Sequence, residues 1–299
     1  MLGEHVYATG IVSFTVVAID PATHQLVASV KGGANPIAIT RTPDGGKLYI
    51  SNSGANNVSV FDTGLGTITS TVTTGVYPHG LAASPDGRSV YVADTGPDTG
   101  DGGSRTLSVI DTGSDTVTGT WTTGQSPRWV AVSPDGATVY ATCHDGLSVL
   151  DAGSGRTRAL LTGQARAGGV AVHPDGSRLY VVNTWQDTLS VLDAHTLRVL
   201  DQVRVGRTPW QAAVSPDGSR VYVTGSGDDT VTVLDAGSLR VAGRVTVNHV
   251  PTSLTVTGTT VWVGTNASST VDAVDTATLR LVGSTPLGIS TATGGVVVA

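Results

Sequence analysis

A histidine and an aspartate fifteen residues apart, His79 and Asp94, head the side chains of this sequence that could do chemistry. A carboxylate that orients an imidazole makes a general acid or base suited to neutral pH. Arg128 and Arg166 carry the charge needed to hold a substrate carboxylate or to stabilise a developing oxyanion. Cys143, followed directly by His144, offers a nucleophile with a base beside it, although an unpaired cysteine is more commonly a small buried hydrophobe. Tyr77, Trp129, Trp185 and Trp210 bring flat apolar surface, and Asn52, Asn183 and Gln211 bring amides that could fix a ligand's orientation. No cofactor is expected. The single cysteine rules out a Cys-x-x-Cys-His haem attachment site and internal disulfides. His79, His144 and His249 come from distant segments, which argues against a shared metal, and the Gly/Asp-rich run 95–105 lacks the Asp-x-Asp-x-Asp-Gly spacing of a calcium loop.

What could bring these residues together is a repeat of 42 residues. Its anchors are Ser-Pro-Asp-Gly, a Val-Tyr-Val strand, a Val-Leu-Asp or Val-Ile-Asp strand, and Gly-x-x-Pro. Tyr to Asp is 13 residues in Tyr7/Asp20, Tyr49/Asp62, Tyr180/Asp193, Tyr222/Asp235 and Trp262/Asp275, against 20 in Tyr91/Asp111 and 11 in Tyr140/Asp151. Asp to Pro is 16 throughout, with Ala167 and Thr291 standing in for proline after Asp151 and Asp275. A period of 40 to 45 residues holding four short strands marks a propeller blade, and the count is seven. The fold class is therefore all-β: a seven-bladed β-propeller of four-stranded antiparallel blades. Blades one to six start near 36, 78, 127, 167, 209 and 251, in a single domain spanning 1–299. The chain begins at the second strand of a blade and ends where a Pro-Asp-Gly turn would fall. Residues 292–299 are thus expected to complete the blade formed by 5–33, blade seven, closing the ring and hiding two sheet edges.

In such a blade the loops alternate between two rims. Pro-Asp-Gly and the turn after Asp share one rim; Gly-x-x-Pro and the loop after the Tyr strand share the other. On the second rim the repeat stops repeating. After the Pro anchor the blades carry Ile37, His79, Arg128, Gly168, Trp210, Thr252 and Ala292, and three residues after the Tyr anchor they carry Asn52, Asp94, Cys143, Asn183, Gly225, Thr265 and Gly10. Positions that vary between blades on a constant scaffold are where a specific ligand can be read, so a lopsided pocket is expected across blades two to five. The seven-residue insertion at 95–105 and the shortened loop at Cys143 fall on the same rim, the former as a lid.

Composition narrows the function classes. Net charge is -6 and the only lysines are Lys31 and Lys47, so no basic stripe suits nucleic acid. No run of 18 apolar residues suggests a membrane span, and the N-terminus has no signal-like pattern, so a soluble, cytoplasmic protein is expected.

The segments Ser84-Pro85-Asp86-Gly87 with Val90-Tyr91-Val92-Ala93-Asp94, and His173-Pro174-Asp175-Gly176 with Leu179-Tyr180-Val181-Val182-Asn183, resemble the YVTN-type β-propeller family over essentially the whole chain. The resemblance implies the fold. Relatives of this architecture include adhesion modules, cofactor-bearing dehydrogenase subunits, lactonases and streptogramin-type lyases, and no catalytic residue carries over from them. The expectation is a small-molecule ligand at the channel mouth and acid/base chemistry of lyase, cyclase or hydrolase type in specialised metabolism. The alternative is a non-catalytic propeller binding a peptide, glycan or partner protein across the same face.

Overall fold

The computed structural model describes residues 4–97, 103–162, 167–288 and 292–299. Among these residues the chain forms seven separate four-stranded antiparallel sheets. Blade one is typical: Pro36–Arg41 is innermost, followed outward by Lys47–Asn52, Asn57–Asp62 and Thr67–Thr73. Blades two to six repeat this order, beginning with Pro78–Ala83, Trp129–Val132, Ala167–Val172, Pro209–Val214 and Pro251–Val256. In the seventh, Thr293–Val298 pairs antiparallel with Val6–Gly10, which continues outward through Thr15–Asp20 and Gln25–Lys31. The chain closes its own ring, as the repeat count requires.

The turns follow from their residues. In each Pro-Asp-Gly turn the glycine takes a left-handed φ of 72° to 76°, where a Cβ would be strained. The aspartate accepts the N–H two residues on, as from Gly46 to Asp44 and from Ala137 to Asp135. The aspartate ending each third strand accepts the N–H three residues on, from Leu65 to Asp62 through Thr278 to Asp275. Just before that aspartate every third strand shifts register against its outermost neighbour, and such a bulge increases the twist that a blade needs.

The core lies between blades. Each of the seven inter-blade spaces holds a cluster in which the Tyr or Trp anchor of one blade packs against aliphatic residues of the next; Tyr49 with Val90 and Val92, and Trp262 with Val6 and Val298, are examples. At the axis the inner strands crowd backbone to backbone. The Gly80 amide donates to the Arg128 carbonyl at 2.8 Å, and a Cβ on Gly80 would fall 2.6 Å from that oxygen. What remains of the channel is a cavity of about 70 Å³ touched by all seven blades, from Ala38 and Leu81 round to Ser253 and Val296, with room for about two waters.

Candidate functional site

Two sets of rim residues that look alike in the sequence separate in the structure. The set three residues after the Tyr anchor is buried structure. As the chain passes from one blade to the next it runs past this position without a side chain: a Cβ on Gly33 would fall 2.3 Å from the Asn52 side chain, and one on Gly75 would fall 2.4 Å from Asp94. The hole left by the glycine is filled by a polar wedge tied to the third strand. Asn52 donates to Asn57 and Ser59, Asn183 donates to Thr188 and Ser190, and Asp94 accepts from Thr106 at 3.1 Å and Ser108 at 2.8 Å. Where the wedge is missing, another residue supplies it. In blade three Asp145 accepts the Gln125 amide beside Cys143, in blade five Asp228 reaches over Gly225, and in blade six Asn248 binds Asp272. Variation here is compensation within one packing problem, which corrects its reading as ligand recognition. Asn52, Asp94 and Asn183 are fully buried and hold blades together.

The proposed His79–Asp94 pair is not formed. Asp94 hydrogen-bonds outward to the third strand, while His79 sits on the innermost strand with its ring edge-on to Trp129, 5.1 Å between centroids. Burial, then the charge of Arg128, push the His79 pKa down to about 3, with the Arg128 backbone acting the other way. A base so weak stays neutral at physiological pH and is poorly matched to proton abstraction there. Its Nδ1 is buried with no hydrogen-bond partner.

Cys143 and His144 also part company at the hairpin. The thiol is 1% exposed, 3.5 Å from the Ser148 hydroxyl, and burial pushes its pKa up to about 11, whereas the His144 side chain is exposed. This corrects the nucleophile assignment, because a reactive cysteine needs thiolate and access. Native protein at pH 8 is expected to react with a thiol-selective disulfide reagent at least about a hundredfold more slowly than unfolded protein; labelling at comparable rates would contradict the burial.

Tyr77, at a φ of 53°, is half exposed and donates its amide to Asn56, apart from the remaining candidates. Gln211 turns into the channel, where its side-chain oxygen accepts the Leu254 amide at 2.8 Å and clips blade five to blade six. His249 pairs with Asp229 at 2.7 Å. Among the described residues no three His, Cys, Asp or Glu side chains come together as metal ligands. Arg166 and positions 98–102 of the insertion lie outside the described residues, and so does the centre of the proposed lid. Its flanks hydrogen-bond to the connection into blade three, Thr95 to Pro127 and Ser126 to Ser104.

Four of the expected residues do converge. Arg128, Trp129, Trp185 and Trp210, with Gly168, Thr184 and Thr208, line an off-axis pocket of about 180 Å³ across blades three to five. Arg128 immediately precedes the inner strand of blade three, and its guanidinium carbon lies 5.4 Å from the centroid of the Trp210 ring in blade five. Gly168 lets the inner strands of blades four and five meet here, since a Cβ there would fall 2.7 Å from the Trp210 carbonyl. A guanidinium over an indole face is a cation–π arrangement that places a fixed positive charge at the pocket. Trp129 is 8% exposed, and its buried indole N–H has no acceptor among the described residues. Trp185 is 65% exposed and forms the outer lip. Thr184 and Thr208 carried no signal in the sequence, since threonine is abundant on every rim.

Solved structures share this architecture. The chain is similar to the hydrazine synthase of Kuenenia stuttgartiensis, at 23% identity, over 88% of this chain and 90% of that one, with a TM-score of 0.79. It is similar to a functionally unknown protein from Desulfotomaculum acetoxidans, at 16% identity, over 99% and 98% of the two chains, with a TM-score of 0.82. The dihydro-heme d1 dehydrogenase NirN aligns at 14% identity over 98% of this chain and 74% of its own, with a TM-score of 0.70. At these identities the likeness is one of fold. No protein of curated function matches the sequence. No helix among the described residues is long and apolar enough to cross a membrane. The chain belongs to the family of seven-bladed β-propeller lactonases, whose model matches residues 8–101 and 147–256, well over half of its length.

Proposed function

We propose that the protein binds a small molecule with a flat face and a negatively polarised oxygen, a lactone or the hydroxy acid formed from it, in the pocket of blades three to five, and opens the lactone ring there. The observation that carries this reading is the joint placement of the Arg128 guanidinium and three indoles around one 180 Å³ pocket. Three aromatic walls favour a flat or apolar body, and the positive charge of Arg128 favours an oxyanion or carboxylate beside it. The family supports the lactone as the reacting group. Water would add to the carbonyl carbon, the ring acyl C–O bond would break, and the water's proton would end on the departing ring oxygen, with Arg128 stabilising the negative charge that grows on the carbonyl oxygen; His79, outside the pocket lining and neutral, has no part in this step.

Dihydrocoumarin, an aryl lactone, and its ring-opened hydroxy acid are the test pair. Titration with the hydroxy acid is expected to change tryptophan fluorescence, and Arg128→Ala should weaken binding about tenfold or more, the loss of one charge-assisted contact. Trp210→Ala should do the same by removing the ring beneath the guanidinium. Hydrolysis above the buffer rate, lost in Arg128→Ala and retained in His79→Gln, is the expected activity. Binding without turnover would leave a ligand-binding propeller and remove the hydrolase; no binding of either compound would remove both.

A further inference from the structure

On the opposite rim the wedge-shaped notches between blades differ in one respect. In three of them a long basic side chain, two residues before the Tyr anchor, crosses to the next blade and donates to the carbonyl just after that blade's third-strand aspartate. Lys47 reaches Thr112 O at 2.8 Å and Asp115 at 2.8 Å; Arg178 reaches Ala236 O and Arg220 reaches Thr276 O. Between blades two and three Trp121 packs on Tyr91, between blades six and seven His24 packs on Trp262, and between blades seven and one His5 lies beside Tyr7, 5.1, 5.5 and 6.1 Å between centroids. The notch between blades three and four has neither device. Its equivalent residue is Thr138, too short to cross, and no donor among the described residues meets the equivalent carbonyl, that of Ala194. This notch holds a groove of about 630 Å³ with Tyr140, 3% exposed, in its lining; the notch that Arg220 crosses also holds a groove, of about 490 Å³, but there the cation is already in place.

The chemistry of this groove is specified by its neighbours. Ala194 O has the place of three carbonyls that each accept from a cation. Asp135 and Asp175 stand on its edges with pKa values held below the ordinary carboxylate range, Asp135 by Ser133 and the Ala137 amide, Asp175 by Ser177, so both are ionised at neutral pH. Arg158 also lines the groove, but its guanidinium turns along its own blade to Asp151, and His173 pairs with Asp175 at 2.6 Å. We propose that this notch binds a guanidinium or ammonium group on a flexible chain, supplied by another molecule, which takes the position that Lys47, Arg178 and Arg220 occupy in the other notches. The site lies on the rim opposite the pocket of Arg128 and is independent of it.

The probes are the peptide Gly-Gly-Arg-Gly-Gly with blocked termini, its citrulline counterpart, and Nα-acetyl-arginine amide, followed by NMR shifts and calorimetry on the full chain. The arginine peptide is expected to bind at least about tenfold more tightly than the citrulline peptide, because the urea loses the charge-assisted part of each hydrogen bond. Thr138→Arg should abolish binding by supplying the crossing cation from within, as Arg178 and Arg220 do. Should Thr138→Arg fail to fold, Asp135→Asn with Asp175→Asn keeps both turn acceptors, removes both charges, and should weaken binding about tenfold. A peptide tighter than the acetylated amide assigns the notch to a basic side chain of a partner segment; equal affinities assign it to a free basic compound. Failure of the arginine probes to bind, equal binding of citrulline, or binding undiminished in Thr138→Arg would overturn the proposal.

Discussion

Removal of residues 293–299 is expected to abolish a cooperatively folded, monomeric protein. Those residues are the innermost strand of the blade whose other strands lie at the N-terminus, and no other segment can take their place. Val296 and Val298 are 6% and 7% exposed, and they cover Val6, Ala8 and Trp262 in the cluster between blades six and seven. Losing two buried valines forfeits roughly 3–6 kcal/mol of apolar burial, and the unpaired edge of Val6–Gly10 adds backbone groups with no partner. The total is comparable with the roughly 5–15 kcal/mol stability of a typical protein. Glycine makes the strand irreplaceable in detail as well. A Cβ on Gly294 would fall 2.5 Å from Ile37 O, and one on Gly295 would fall 2.7 Å from the Ile39 amide, so the strand must be nearly bare to fit against blade one. Thermal melting by circular dichroism with size-exclusion chromatography checks this. A truncated protein that stays monomeric and melts within a few degrees of the full chain would show that the closure is ornamental.

Asp94→Asn is expected to stabilise the protein at neutral pH and leave ligand binding intact. Burial pushes the Asp94 pKa up to about 6, against the opposing hydrogen bonds from Ser108 and Thr106 and from the Gly75 backbone. An acid whose folded pKa lies above its unfolded value holds its proton more tightly in the native state, so its contribution is most favourable below about pH 4. Native stability then falls as pH rises through the interval from about 4 to about 6, by on the order of 2–3 kcal/mol in full. Asparagine removes the charge while offering an amide that Asn52 and Asn183 already use in the same wedge, donating to Ser59 and Ser190 at 2.8 Å each. The variant should therefore melt a few degrees above the wild type at pH 8, and the gap should narrow to roughly a third by pH 4.5. A gap independent of pH, or a less stable variant at pH 8, would contradict the burial of an ionised carboxylate. Loss of binding at the Arg128 pocket in this variant would return Asp94 to the site.

How far the site could be read in advance depended on what each position does in the fold. The strand order, the seven blades and the ring closure follow from covalent spacing and local preference: Pro-Asp-Gly turns the chain, a β-branched strand flanks each Tyr, and 16 residues return it to the axis. These are properties of segments shorter than one blade, repeated until the ring fills. The rim was legible for the same reason, because strand alternation assigns every loop to a face, and the pocket occupies three of the four blades expected there. The individual residues were not. His79, Asp94, Cys143 and Asn183 break the repeat as visibly as Arg128 and Trp210, yet the first four answer the packing of one blade against the next and only the last two face the pocket. Telling a polar wedge from a ligand contact requires knowing which neighbour a side chain meets, and that neighbour belongs to another blade. The sequence by itself determined a ring of seven four-stranded blades and the rim on which its variety lies. Only the tertiary structure decided that Arg128 meets the Trp210 ring two blades away, and that Thr138 leaves the carbonyl of Ala194 without the cation that Thr112, Ala236 and Thr276 accept, because both depend on distances between chain segments that no local spacing encodes.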